Sequence, residues 1–121
     1  MIILLIDDDP IQLQIRKAVL DGAGFEVRTA MTADEALISL RSNVPDVVIT
    51  DHVLPGASGA DFVRQLRTVE PDVPVVVVSG MAEAEDEYAG LNVTFRQKPY
   101  PAPQLIALVQ ELANPSPPGS R

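Results

Sequence analysis

Apolar positions along this chain come in two rhythms. Short runs that are apolar at nearly every position, Ile2–Ile6, residues 47–50, residues 75–78 and a weaker stretch at 25–29, alternate with longer segments whose apolar residues recur every three or four places. Runs without in-out alternation suit strands covered on both faces, as in a parallel sheet flanked by helices. A fifth strand candidate, residues 92–96, precedes Lys98.

The spaced segments predict helices. Ile11, Ile15, Ala18, Val19 and Gly22 mark the first, stopped by Asp21-Gly22-Ala23-Gly24. The second opens at Thr32, a capping hydroxyl with Glu35 as its capping-box partner, and carries Ala36, Leu37 and Leu40 inside. A third covers residues 60–69 with Phe62, Val63 and Leu66 inward and Pro71 closing it. The last runs from about residue 102 to 113, with Leu105, Ile106, Leu108, Val109 and Leu112 as its stripe. Five alternations of strand and helix predict a doubly wound α/β fold of the (βα)5 kind with a five-stranded parallel sheet and right-handed crossovers.

Length and composition narrow the functions. A chain of 121 residues, 46% hydrophobic and 21% charged, fits one compact domain, expected over residues 1–113. The final stretch 114–121, NPSPPGSR, lacks an apolar stripe and is expected to be a flexible tail or severed linker. A net charge of -8 opposes direct nucleic-acid binding, because phosphate is bound with lysine and arginine. No apolar run approaches the ~20 residues of a membrane span, and no signal peptide is legible, so a cytoplasmic location is expected. Zero cysteines remove disulfides and thiolate chemistry, and a single histidine, His52, excludes a multi-histidine zinc site.

The polar residues that follow the strands carry the chemistry. Asp7-Asp8-Asp9 follows the first, Asp51 the third, Ser79-Gly80 the fourth and Lys98-Pro99 the fifth. Sites in such sheets lie beyond the carboxyl ends of the strands. In a flavodoxin-like strand order 2-1-3-4-5, the first and third strands are neighbours, which brings Asp7, Asp8 and Asp51 together with Lys98 reaching in. Clustered carboxylates repel, and a hard divalent cation, Mg²⁺ or Mn²⁺, relieves that repulsion through oxygen ligands. Lysine, serine and metal together would stabilise a phosphoryl group in transit.

With these pieces in place, the chain resembles the response-regulator receiver domains of two-component signalling, the CheY-like family. The resemblance spans about residues 1–113 and rests on IDDDP, ITDHVLPGASG, VVVVSG, Phe95 and KPY in that order. It implies that Asp51 is the phosphoacceptor, taking a phosphoryl group from a sensor histidine kinase or a histidine phosphotransfer protein. It further implies metal ligation by Asp8, Asp51 and the Val53 backbone carbonyl, with Asp7 completing the acidic pair. Ser79 and Lys98 would contact the phosphoryl oxygens, and Pro99 would follow a peptide bond that the family often holds cis. Phe95 would be the switch aromatic that remodels the face of the fourth and fifth helices. A phosphorylation-linked dimer is compatible with the family, and no downstream partner is named by any residue.

Departures from the pattern bear on behaviour. Val53 and Met81, two places past Asp51 and Ser79, are apolar where fast self-dephosphorylating members often carry polar groups, so at most slow self-dephosphorylation is expected. The Ser79–Lys98 segment is about three residues shorter than usual in the family and holds the acidic run Glu83, Glu85, Asp86, Glu87, so the fourth helix is expected to be short or irregular. Simpler roles are expected for Asp9, a solvated helix-start residue, and for His52, a partly exposed rim residue. With Met1 directly before the first strand and only a short tail behind, the expectation is a stand-alone regulator or a fragment without an output domain.

Two other functions compete. A haloacid-dehalogenase-type phosphatase would use Asp7 as nucleophile and Asp9 as acid/base, but leaves Asp51 idle and finds Ile11 where that pattern wants threonine or valine. A receiver-like module working only as a binding surface would not need the full set Asp8, Asp51, Ser79 and Lys98.

Overall fold

The computed structural model describes residues 1–113; the expected tail at 114–121 lies outside the described residues. Five strands, β1 (Ile2–Ile6), β2 (Glu26–Ala30), β3 (Val47–Asp51), β6 (Val75–Ser79) and β7 (Thr94–Gln97), form one parallel sheet in the order β2-β1-β3-β6-β7. Numbered among themselves, these strands run 2-1-3-4-5, the order expected from the sequence. A two-stranded antiparallel ribbon, β4 (Val53–Leu54) with β5 (Ala57–Ser58), follows β3.

Alternate residues of each central strand enter opposite cores, as a pleated strand requires. Leu4, Ile6, Val48, Val75 and Val77 meet α2 (Ala33–Ser42) and α3 (Gly59–Val69) through Ala36, Leu40, Phe62, Val63 and Leu66. Ile3, Leu5, Val47, Ile49, Val76 and Val78 meet α1 (Pro10–Gly22) and α4 (Ala102–Ala113) through Leu13, Leu20, Leu105 and Val109. Burial on both faces explains the unbroken valine run of β6.

Local signals held with small shifts. Thr32 caps α2 by accepting from the Glu35 N–H, while the Glu35 carboxylate accepts from Met31 N–H rather than from the cap residue itself. Ser58 and Asp61 form a complete capping box at the start of α3. The segment expected to be a short or irregular fourth helix is a 3-10 helix, η1 (Ala82–Tyr88).

The first helix corrects the sequence reading. Ile11 and Ile15, whose spacing marked this helix, are 69% and 54% exposed, and the buried positions are Leu13 and Leu20. Apolar residues occur around most of this helix, so spacing alone left its rotation undetermined. Arg16, drawn toward a buried acid, marks the inward side.

One arginine closes the far corner. The Arg67 guanidinium donates to the carbonyls of Glu70, Val73, Leu91 and Asn92, joining the end of α3 to the turn before β6 and the loop before β7.

Candidate functional site

The carboxyl ends of β1 and β3 lie side by side, Ile6 opposite Thr50. Each strand runs directly into an acid, and carboxylate oxygens of Asp7, Asp8 and Asp51 lie within 4.8 Å of one another. At an effective dielectric of about 20, two like charges that far apart repel by about 3 kcal/mol. Asp7 is buried, Asp51 half-buried and Asp8 exposed.

Asp7 and Asp51 each have a partner on both carboxylate oxygens. Asp7 Oδ1 accepts from the Asp9 N–H at 2.9 Å, and Oδ2 pairs with Arg16 Nη1 at 3.3 Å. Burial pushes the Asp7 carboxyl above its usual range and the Asp51 charge adds to this, whereas the Asp9 amide, Arg16 and Lys98 pull it back. Asp51 Oδ1 accepts from the His52 N–H at 2.7 Å, and Oδ2 accepts from Lys98 Nζ at 3.1 Å. The Asp9 side chain takes no part: it caps α1, accepting from the Ile11 and Gln12 amides, as expected for a helix-start residue.

Ser79 ends β6, buried at 1% exposure, and its Oγ accepts from the Met81 N–H at 3.0 Å. Its carbonyl accepts from the Lys98 N–H at 2.7 Å, which ties the serine and lysine strand ends together. The Lys98-Pro99 bond is cis. Val53 opens β4, with an exposed side chain, two residues past Asp51. Phe95 stands apart from the acids on β7, half-buried, 5.8 Å between centroids from Tyr88.

His52 departs from expectation. It is 6% exposed, not a rim residue, because Tyr88 and Glu87 of η1 close over it. Tyr88 Oη lies 2.8 Å from Nδ1, and the Glu87 carboxylate lies 3.3 Å from Nε2. In the tautomer with its proton on Nε2, the ring donates to the Glu87 carboxylate and Nδ1 accepts from the Tyr88 hydroxyl. Desolvation is the main cause of a strongly raised Tyr88 pKa, with the Glu87 and Asp51 charges adding to it. Gly59 makes this closure possible: a Cβ there would lie 2.5 Å from Tyr88 Oη and 2.6 Å from the Asp51 carbonyl oxygen.

The donor chemistry fits a hard divalent cation. Three carboxylates supply oxygen only, and the cluster contains no imidazole or thiolate that would favour a softer metal. Such a set, flanked by a lysine and a serine, also suits a phosphoryl group more than a sugar or an acyl chain.

The family model of the response regulator receiver domain matches residues 3–110. The chain belongs to that family. Among relatives, this receiver domain is 36% identical over 113 residues to the transcriptional regulatory protein PrrA of Mycobacterium tuberculosis, covering 91% of this chain and 48% of PrrA. It is 31% identical over 116 residues to the phosphate regulon transcriptional regulatory protein PhoB of Rhizobium meliloti, covering 91% of this chain and 51% of PhoB. The receiver domain thus spans about half the length of these relatives. Among solved structures, a receiver domain protein from Clostridium thermocellum superposes with a TM-score of 0.84 at 31% identity, covering 93% of this chain and 94% of that one. A CheY-like receiver domain protein from Methanospirillum hungatei gives 0.88 at 25% identity, with 93% of each chain covered. Receiver domains are signalling modules of two-component systems, take phosphate from histidine kinases and bind Mg²⁺ at an acidic cluster. No helix among the described residues is long and apolar enough to cross a membrane.

Proposed function

We propose that Asp51 is the phosphoacceptor of this receiver domain. The observation that carries the reading is the convergence of Asp7, Asp8 and Asp51 within 4.8 Å, with the Lys98 ammonium 3.1 Å from Asp51 Oδ2. The donor is the phosphoimidazole of a sensor histidine kinase or of a phosphotransfer protein. A carboxylate oxygen of Asp51 attacks phosphorus, the new P–O bond forms as the P–N bond breaks with its electrons going to the ring nitrogen, and a donor ring that already carries a proton on its other nitrogen leaves as neutral imidazole. Asp8, Asp51 and the Val53 carbonyl would hold Mg²⁺ directly, and Asp7 would complete the acidic pair. When bound, the ion supplies positive charge against the equatorial phosphoryl oxygens.

The chain's own residues do the rest. The His52 amide fixes the Asp51 carboxylate, so its attack geometry is set before a donor arrives. Lys98 moves its charge from Asp51 to the incoming phosphoryl oxygen, and Ser79 gives up its contact with the Met81 amide to donate to another. Phe95, packed against Tyr88, would pass the change to the face made by η1 and α4. Val53 and Met81 offer no side-chain group to orient water, which supports at most slow self-dephosphorylation.

Acetyl phosphate with Mg²⁺ tests the assignment by intact-protein mass. The parent chain should gain one phosphoryl group and Asp51→Asn should gain none. Equal gain in both would place the acceptor elsewhere, no gain in the parent would favour a phosphate-independent binding module, and steady release of phosphate with turnover would favour a phosphatase.

A further inference from the structure

Arg16 has no part in the chemistry just described, yet the fold gives it an expensive position. It lies on α1 between the two residues that face the sheet, Leu13 and Leu20, where an apolar side chain would complete the buried stripe. Its side chain is only 16% exposed, and its guanidinium reaches the nearly inaccessible Asp7 carboxylate at 3.3 Å. With the Asp9 amide on the other oxygen, both oxygens of Asp7 have partners supplied by α1 and its cap. One of those partners carries a full positive charge.

We propose that Arg16 is a resident counter-ion of the acidic cluster: a positioning residue that holds the Asp7 carboxyl in place, and that sets how weakly a divalent cation binds. The inference rests on the reading of Asp7, Asp8 and Asp51 as the Mg²⁺ site. Arg16 and Lys98 leave the cluster closer to neutrality than its three acids alone would be, so the site can stand without metal. An arriving cation must share Asp7 with the guanidinium and meets its repulsion. Two consequences follow with opposite signs. Removing the charge destabilises the metal-free fold, because a buried carboxylate loses its partner. The same change tightens metal binding, because one positive charge no longer opposes the ion. An arginine that merely supported α1 would produce the first effect without the second.

The experiment uses the full chain and Mg²⁺ alone. Calorimetric titration gives the dissociation constant, and thermal unfolding with and without saturating Mg²⁺ gives the stability. Arg16→Met, which keeps the apolar stem and drops the charge, should bind Mg²⁺ about ten-fold more tightly than the parent. It should also melt lower without the ion and gain more from it, whereas Arg16→Lys should stay near the parent. Arg16→Gln, which keeps a donor for Asp7 without the charge, should show the same tightening and serves if the methionine variant does not fold. Unchanged or weaker Mg²⁺ binding in the uncharged variants overturns the role given to Arg16. A parent chain that binds no Mg²⁺ overturns the metal-site reading itself, so the two failures are told apart.

Discussion

Val53 and Met81 are 55% and 42% exposed, and they stand two residues beyond Asp51 and Ser79. Neither can hold a water in line with a phosphorus atom, so the acyl phosphate should outlast the seconds that an oriented water would allow. Following its loss after removal of the donor, by mass or by acid-gel mobility, checks this, and Val53→Asn should shorten the lifetime while leaving the fold intact. At this scale the sequence was informative wherever chemistry sits at a strand end. Asp7, Asp8 and Asp51 could be placed because they follow apolar runs, and Lys98 because it stands with Pro99 just past the weaker fifth strand; the parallel register then brings the three acids together. Arg16 and His52 could not. Their roles depend on which side of a helix faces the sheet and on what packs over a strand end, and neither leaves a mark in local spacing. A charged residue at the midpoint between two leucines seven apart, Leu13 and Leu20, was the available sign for Arg16.

Among the elements, η1 is the one whose shape follows least from pattern. Its run AEAEDEY has one aromatic at the end of an acidic stretch, and the reading of such a stretch as solvated is correct for Glu83, Glu85 and Asp86. Tyr88 is the exception, buried against His52 and Phe95 and anchoring the segment where a longer helix would bury a full stripe. Tyr88→Phe should cost about 1 kcal/mol at neutral pH through the lost hydrogen bond to His52 Nδ1. The pH dependence follows from linkage. The folded state holds the Tyr88 proton more tightly than the ordinary value of 10.0, so the tyrosine's contribution is complete below that pH and is lost as pH climbs above it. Urea unfolding between pH 7 and 11 should therefore show the gap between parent and Tyr88→Phe closing on the alkaline side, and a gap that stays constant would contradict the assignment. The four α-helices were legible to within a residue or two because punctuation such as the Thr32 cap and the Gly22-Ala23-Gly24 stop marks them, whereas the rotation of α1 was not, its apolar residues being spread around the axis.

For the molecule as a whole, strand alternation, two-sided burial and order 2-1-3-4-5 were all legible, since a run such as Val75–Ser79 has few ways to be covered on both faces. The corner held by Arg67 was not, because its four carbonyl partners come from two stretches of chain far apart in sequence, Glu70 with Val73 and Leu91 with Asn92. Replacing this planar fork with a lysine ammonium leaves several carbonyls without donors. Arg67→Lys should lower unfolding free energy by about 2–3 kcal/mol and speed amide exchange around Leu91, both measurable on the metal-free chain. That corner also limits how far a change at Asp51 can travel. Because Leu91 and Asn92 are bolted to α3, any rearrangement of the η1 face has a fixed downstream anchor. Between that bolt and the end of β6 the chain from Gly80 to Gly90 is itself pinned, by Tyr88 on His52 and by Arg64 on the Glu87 carbonyl, so a change at Asp51 is passed on as a tilt of this short bridge about those pins while the sheet beneath it keeps its shape.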